Sequence, residues 1–216
     1  SLAQGDSPNK HFIALMWYGT SSSTISIPKY DTKGPDEDSN QVTSNIAFNP
    51  DLVWVKDRGN SSNHVLFDSV RGFGKNTLYT NSTNAETTDE NGHVSSVTSN
   101  KVNFASGSSG KTNWSSSNNY AIGWFWRAGG PPASDGVAMG DGTATTTAAL
   151  KTAASATITP TRMSINSKAG FSITTYSIAS TTANNHFTIP HGLNKAPEVV
   201  IVKNTVQPGH SGSQMW

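Results

Sequence analysis

The chain has 216 residues, of which 13% are charged, with a formal net charge of +1 and no cysteine. It is long enough to bury a core, yet it carries no electrostatic footprint for nucleic acid, no disulfide framework and no thiolate metal site. Ser, Thr and Asn supply about a third of the residues, a polar but uncharged balance that argues against disorder from self-repulsion, and the longest apolar runs fall well short of the roughly 18 residues of a membrane span.

Residues 1–10 read as an N-terminal extension, cut at its start, with neither an initiator Met nor a signal-peptide core. From there, period-two alternation sets the pattern. Ile13, Leu15 and Trp17 share one face of FIALMWY, and Leu52 and Trp54 alternate with Val53 and Val55 in LVWV. Short runs rich in Val, Ile, Thr and aromatics recur as STISI, HVLFDS, TLYTN, HVSSVTS, KVNFA and YAIGWFW, separated by Gly, Asn, Ser and Pro clusters. That spacing predicts an all-β sandwich or jelly roll over residues 11–130, with a boundary near Gly129.

Residues 131–168 are rich in Gly, Ala, Ser and Thr and read as an extended linker. TATTTAALKTAASA (143–156) is the one stretch with helical composition, but its many β-branched Thr residues argue for local turns instead. Beyond it, Phe171, Ile173 and Thr175 alternate in FSITTY, and HFTIP and EVVIVKN follow as further expected strands over 169–216.

These last elements repeat earlier ones. Tyr18 aligns with Tyr176, Ile27-Pro28 with Ile189-Pro190, and Pro50 with Pro197, which places Asp51 on Glu198 and Lys56 on Lys203. The expected organisation is one whole module followed by the opening strands of a second, similar one, with strand edges left for a longer polypeptide or a neighbouring subunit to complete.

FNPDLVWVKDR, NHVLFDSVRG, LYTNSTNAETT, YAIGWFWRAGG, MSINSKAGFSITTY and IPHGLNKAPEVVIVKN, in that order, resemble a modular domain of marine bacteriophage tail-fibre-like and other minor virion proteins. Arg127 stands where that pattern commonly has Lys, Phe125 where it commonly has Cys, and the insert KYDTKGPDEDSNQVTS is unusual. The resemblance implies a virion structural protein on an exterior, host-facing appendage, self-associated as a trimer by analogy with fibres. It implies no catalytic residues and no cofactor.

Several motifs contain residue types that could carry chemistry. ASGSSGKT (105–112) fits a relaxed phosphate-binding loop, but no helix former follows it, so a turn between strands is the expectation. His64 and Asp68 would lie about 13 Å apart on a strand, too far for a dyad, and Asp68 with Arg71 is expected to tie down the turn at SVRGFG. The six His are scattered without metal-ligand spacing, and the acids of DEDS and TTDENG sit in loop-like segments rather than in a paired cleft. Trp17, Trp54, Trp124 and Trp126 are expected mainly in the core. Trp114 lies in a polar loop beside Asn113, Asn118, Asn119 and Tyr120, a mix of flat apolar surface and amide groups that suits a sugar face.

The expected function is therefore a structural virion protein with weak multivalent binding to host surface glycans. A capsid fibre or decoration protein is the second reading, and a polysaccharide-degrading enzyme the third. Its partners would be other copies of itself, other virion proteins and a host glycan, with no nucleic acid and no membrane insertion.

Overall fold

The computed structural model describes residues 7–19, 25–27, 46–98, 101–107, 111–113, 120–134, 136–178 and 186–206. The fold is almost all β. A six-stranded antiparallel sheet contains β1 (Phe12–Tyr18), β3 (Leu52–Asp57), β4 (Val65–Asp68), β5 (Asn76–Tyr79), β6 (Thr87–Thr88) and β9 (Tyr120–Trp126), in the order β1-β9-β3-β4-β5-β6. Against it packs a three-stranded antiparallel sheet of β2 (Ile25–Ile27), β8 (Lys101–Phe104) and β7 (Val94–Thr98).

The core lies between these two sheets, as a sandwich requires. Trp17, Val53, Val55, Val65, Phe67, Ala121 and Phe125 come from one sheet, and Ile27, Val94, Val102 and Phe104 from the other. Trp17 stacks on Phe104 with ring centroids 5.4 Å apart, and its indole N–H donates to the Thr112 carbonyl at 2.7 Å. The Trp17 ring lies over Gly123, where a Cβ would approach it to 2.7 Å. Glycine in the middle of β9 is therefore what admits the largest core side chain.

The structure departs from what the sequence leads one to expect. First, Trp54, Trp124 and Trp126 are not core residues. Strand side chains alternate, and the inward positions of β3 and β9 are held by Val53, Val55, Ala121, Gly123 and Phe125, all buried. The three Trp residues are forced onto the opposite face of the sheet.

Second, the segment read as an extended linker is structured. β10 (Val137–Met139) pairs in parallel with β11 (Arg162–Asn166), and β11 pairs antiparallel with β12 (Phe171–Thr175). A parallel pair needs a crossover, and α1 (Thr147–Ala153) lies within it, capped by the Thr146 hydroxyl, which accepts from the Ala149 N–H at 3.1 Å. The Thr residues that argued against a helix are partly absorbed by the cap, where Thr is favoured. HFTIP and EVVIVKN, by contrast, form no strands within their described residues.

Candidate functional site

Of the residues expected to face a sugar, Trp114, Asn118 and Asn119 lie outside the described residues. Asn113 is fully buried and its amide donates to the Ala105 carbonyl at 3.0 Å, so it holds the loop from within. Tyr120 opens β9, partly exposed, with its ring 4.4 Å from that of Tyr18. Asn113 and Tyr120 therefore do not form one surface.

Tyr120 belongs instead to an aromatic face on the side of the six-stranded sheet away from the core. Register places Tyr18 beside Tyr120, Phe12 beside Trp126, and Ala14, Trp124 and Trp54 in one row across β1, β9 and β3. Ring contacts link Phe12 to Trp126 at 4.9 Å, Trp54 to Trp124 at 5.8 Å and Trp54 to Trp126 at 6.5 Å. At one end Phe171 of β12 stacks on Trp126 at 6.1 Å, so the third sheet touches this face but leaves its Trp residues partly exposed. The indole N–H of Trp54 is shielded from solvent and has no hydrogen-bond partner among the described residues. These aromatics stand out in the sequence, where most are expected in the core; the signal for an outward face is the Val-Val and Ala-Gly-Phe alternation of the same two strands.

The segment that follows β9 is a second built feature. Asp51, buried at the start of β3, accepts from the Ser69 hydroxyl and from the Ala128 N–H, both at 2.7 Å. Burial pushes its carboxyl above the ordinary range, against the pull of those hydrogen bonds and of Arg127. Asp51 thereby fixes RAGG (127–130), onto which the third sheet closes. A Cβ on Gly129 would overlap the Ala138 carbonyl, coming within 2.6 Å of its carbon, and one on Gly140 would come within 2.5 Å of the Ala128 oxygen. Ser164 completes the junction, accepting from the Gly129 N–H at 2.8 Å and donating to the Gly130 carbonyl at 2.7 Å.

The remaining charges act locally. Asp68 accepts from the N–H groups of Val70 and Arg71, and pairs with the Arg71 guanidinium at 2.6 Å, tying down the turn as expected. Arg71 also pairs with Glu86. Lys111, from the loop that resembles a phosphate-binding motif, pairs with Asp89 at 2.7 Å and lies 5.4 Å from the Tyr79 ring centre. Burial alone would raise Asp89, but the Lys111 ammonium and the Asn91 N–H outweigh it and hold the carboxyl below its usual range. Among the described residues no three His, Asp or Glu side chains converge on a metal-sized site, and no helix is long and apolar enough to cross a membrane.

No curated protein and no solved structure matches the chain. A family model does match, over residues 20–214, a stretch that spans the RAGG junction and the whole of the third sheet. By that match the chain belongs to the family described as a domain of unknown function, DUF7483.

Proposed function

We propose that the chain is a structural and adhesive module of a phage virion appendage, such as a tail fibre, and that it makes weak, repeated contacts with host surface glycans. The observation that carries this reading is the outer aromatic face, where Trp54, Trp124 and Trp126 stay partly exposed on the six-stranded sheet beside Tyr18 and Tyr120. Flat aromatic side chains fixed on strands offer stacking area at little entropic cost. Each contact is weak, and many modules on one particle add up through effective concentration. The virion assignment is supported by the resemblance of the ordered motifs, and the interlocked RAGG junction suits a part that must hold successive units in line.

An antibody against residues 11–130, applied to particles of the phage that encodes the chain and viewed by electron microscopy, tests the assignment. Label on the tail tip or fibres supports it. Label over the capsid favours a decoration protein, and particles without label overturn the virion assignment. The adhesive half is tested by binding of the purified chain to host cells, which Trp124→Ala is expected to weaken about tenfold through loss of one stacking surface.

A further inference from the structure

Glu198 to Lys203 is the most exposed apolar run among the described residues: Val199 is 75% exposed, Val200 64%, Ile201 46% and Val202 47%. Four consecutive β-branched residues without an internal charge or proline have the composition of a strand, yet no strand is paired there. The run is presented on the body of the module rather than loose. Lys203 donates from its ammonium to the Ser82 carbonyl at 2.7 Å and the Asn84 carbonyl at 2.9 Å, and the Glu86 N–H donates to the Thr205 carbonyl at 2.9 Å.

We infer that this run is a self-pairing edge, which forms an antiparallel two-stranded ladder with the same run of a second copy about a two-fold axis. The sequence EVVIVK is self-complementary in that arrangement. Glu198 falls opposite Lys203 of the second copy, Val199 opposite Val202 and Val200 opposite Ile201, so both ends carry opposite charges and the middle is apolar throughout. Parallel pairing would set Glu198 against Glu198 and Lys203 against Lys203, like charges that directly opposed positions disfavour. The contact is isologous and stops at two copies. A six-residue ladder buries far less than the roughly 1,200–2,000 Å² of a stable interface, so the free chain associates weakly, and the contact gains force where many copies are held close together.

The test is sedimentation velocity on the full chain over a range on the order of micromolar to millimolar. Wild type is expected to shift from monomer to dimer as concentration rises. Glu198→Lys alone, and Lys203→Glu alone, should each weaken the dimer about tenfold or more, because two attractive cross-strand pairs become repulsive. Mixed in equal amounts the two variants should dimerise again, since every Lys then meets a Glu. Because Lys203→Glu also gives up the Ser82 and Asn84 carbonyls, Val200→Asp serves as a second variant at an exposed position and should leave only monomer. A chain that stays monomeric throughout overturns the inference, as does a trimer, an open-ended series of larger species such as capture by β1, at the edge of its sheet, would give, or a dimer indifferent to Glu198→Lys.

Discussion

Phe48–Asp57 and residues 195–204 say nearly the same thing in sequence and end in opposite states. In the first, β3 is hydrogen-bonded on both edges, to β9 and to β4, and Val53 and Val55 are fully buried. In the second, the residues aligned with them, Val200 and Val202, are 64% and 47% exposed, with no strand on either side among the described residues. Propensity and alternation are equal in the two, so neither is sufficient. What makes β3 a strand is its neighbours: YAIGWFW on one side and HVLFDS on the other supply the ladder, and β2, β7 and β8 the facing core, whereas among the described residues no strand is packed against the later run.

One substitution placed in both runs separates them most. Val53→Asp sets an unpaired carboxylate into the core and should cost at least about 4 kcal/mol, enough to unfold the module or nearly so. Val200→Asp, at the aligned position, should stay within about 0.5 kcal/mol of wild type. Urea denaturation at low protein concentration, where association does not contribute, gives both values. Equal costs would mean that residues 199–202 are buried in the monomer after all, and would remove the basis for pairing between copies.

Next in size is the acid that precedes each run. Asp51→Ala leaves the buried Ala128 N–H without an acceptor and the Ser69 hydroxyl without its short partner, for an expected loss of about 2–4 kcal/mol. Glu198→Ala, at an exposed residue, should be nearly silent in the same denaturation experiment.

The all-β sandwich was readable in the sequence because β1, β3 and β9 alternate cleanly, and turn residues bound β4, β5, β7 and β8. The turn role of Asp68 and Arg71 was readable as well, since a carboxylate three residues before an arginine at a Gly-rich corner has a local use. The direction of the Trp residues was not. Alternation fixes which residues share a face but leaves open which face is covered, and that is decided only when β2, β7 and β8 pack on the Val53, Val55 and Phe125 side. The third sheet was hidden for a related reason, because β10 is three residues long and has meaning only beside β11. Of the residues expected to meet a sugar, Asn113 looked like a surface amide because Asn in a polar loop usually is one, and its burial depends on contacts with residues near 105.

Close packing also decides how the third sheet sits on RAGG. Gly129→Ala puts a methyl group into the Ala138 carbonyl, where backbone must move, and overpacking of this kind costs about 1–3 kcal/mol. The loss should concentrate in the third sheet. Hydrogen exchange of Met163 and Ile165, both fully buried, is expected to speed up markedly while Val53 and Val55 in β3 change little. Uniform acceleration would instead mean that the sandwich and the third sheet open as one unit.

The smallest effect separates the charge of Asp51 from its shape. Asp51→Asn keeps the acceptor for the Ala128 N–H and can donate to the Ser69 oxygen, so at neutral pH it should lie within about 1 kcal/mol of wild type and can exceed it, because the buried charge is gone. The pH dependence carries the sign. Burial raises the folded-state carboxyl of Asp51 above its unfolded value, so the folded chain binds that proton more readily. Its contribution is fully present below the unfolded value and is lost as pH rises through the raised one. Asp89, held below its usual range, acts in the opposite sense and loses its contribution as pH falls. Comparing wild type with Asp51→Asn removes this second effect, which both share. From neutral pH downward the difference should move in favour of wild type, with the change falling above the ordinary carboxylate range. A difference that is flat with pH would mean that the Ser69 and Ala128 hydrogen bonds fully offset the cost of burying Asp51 as an anion.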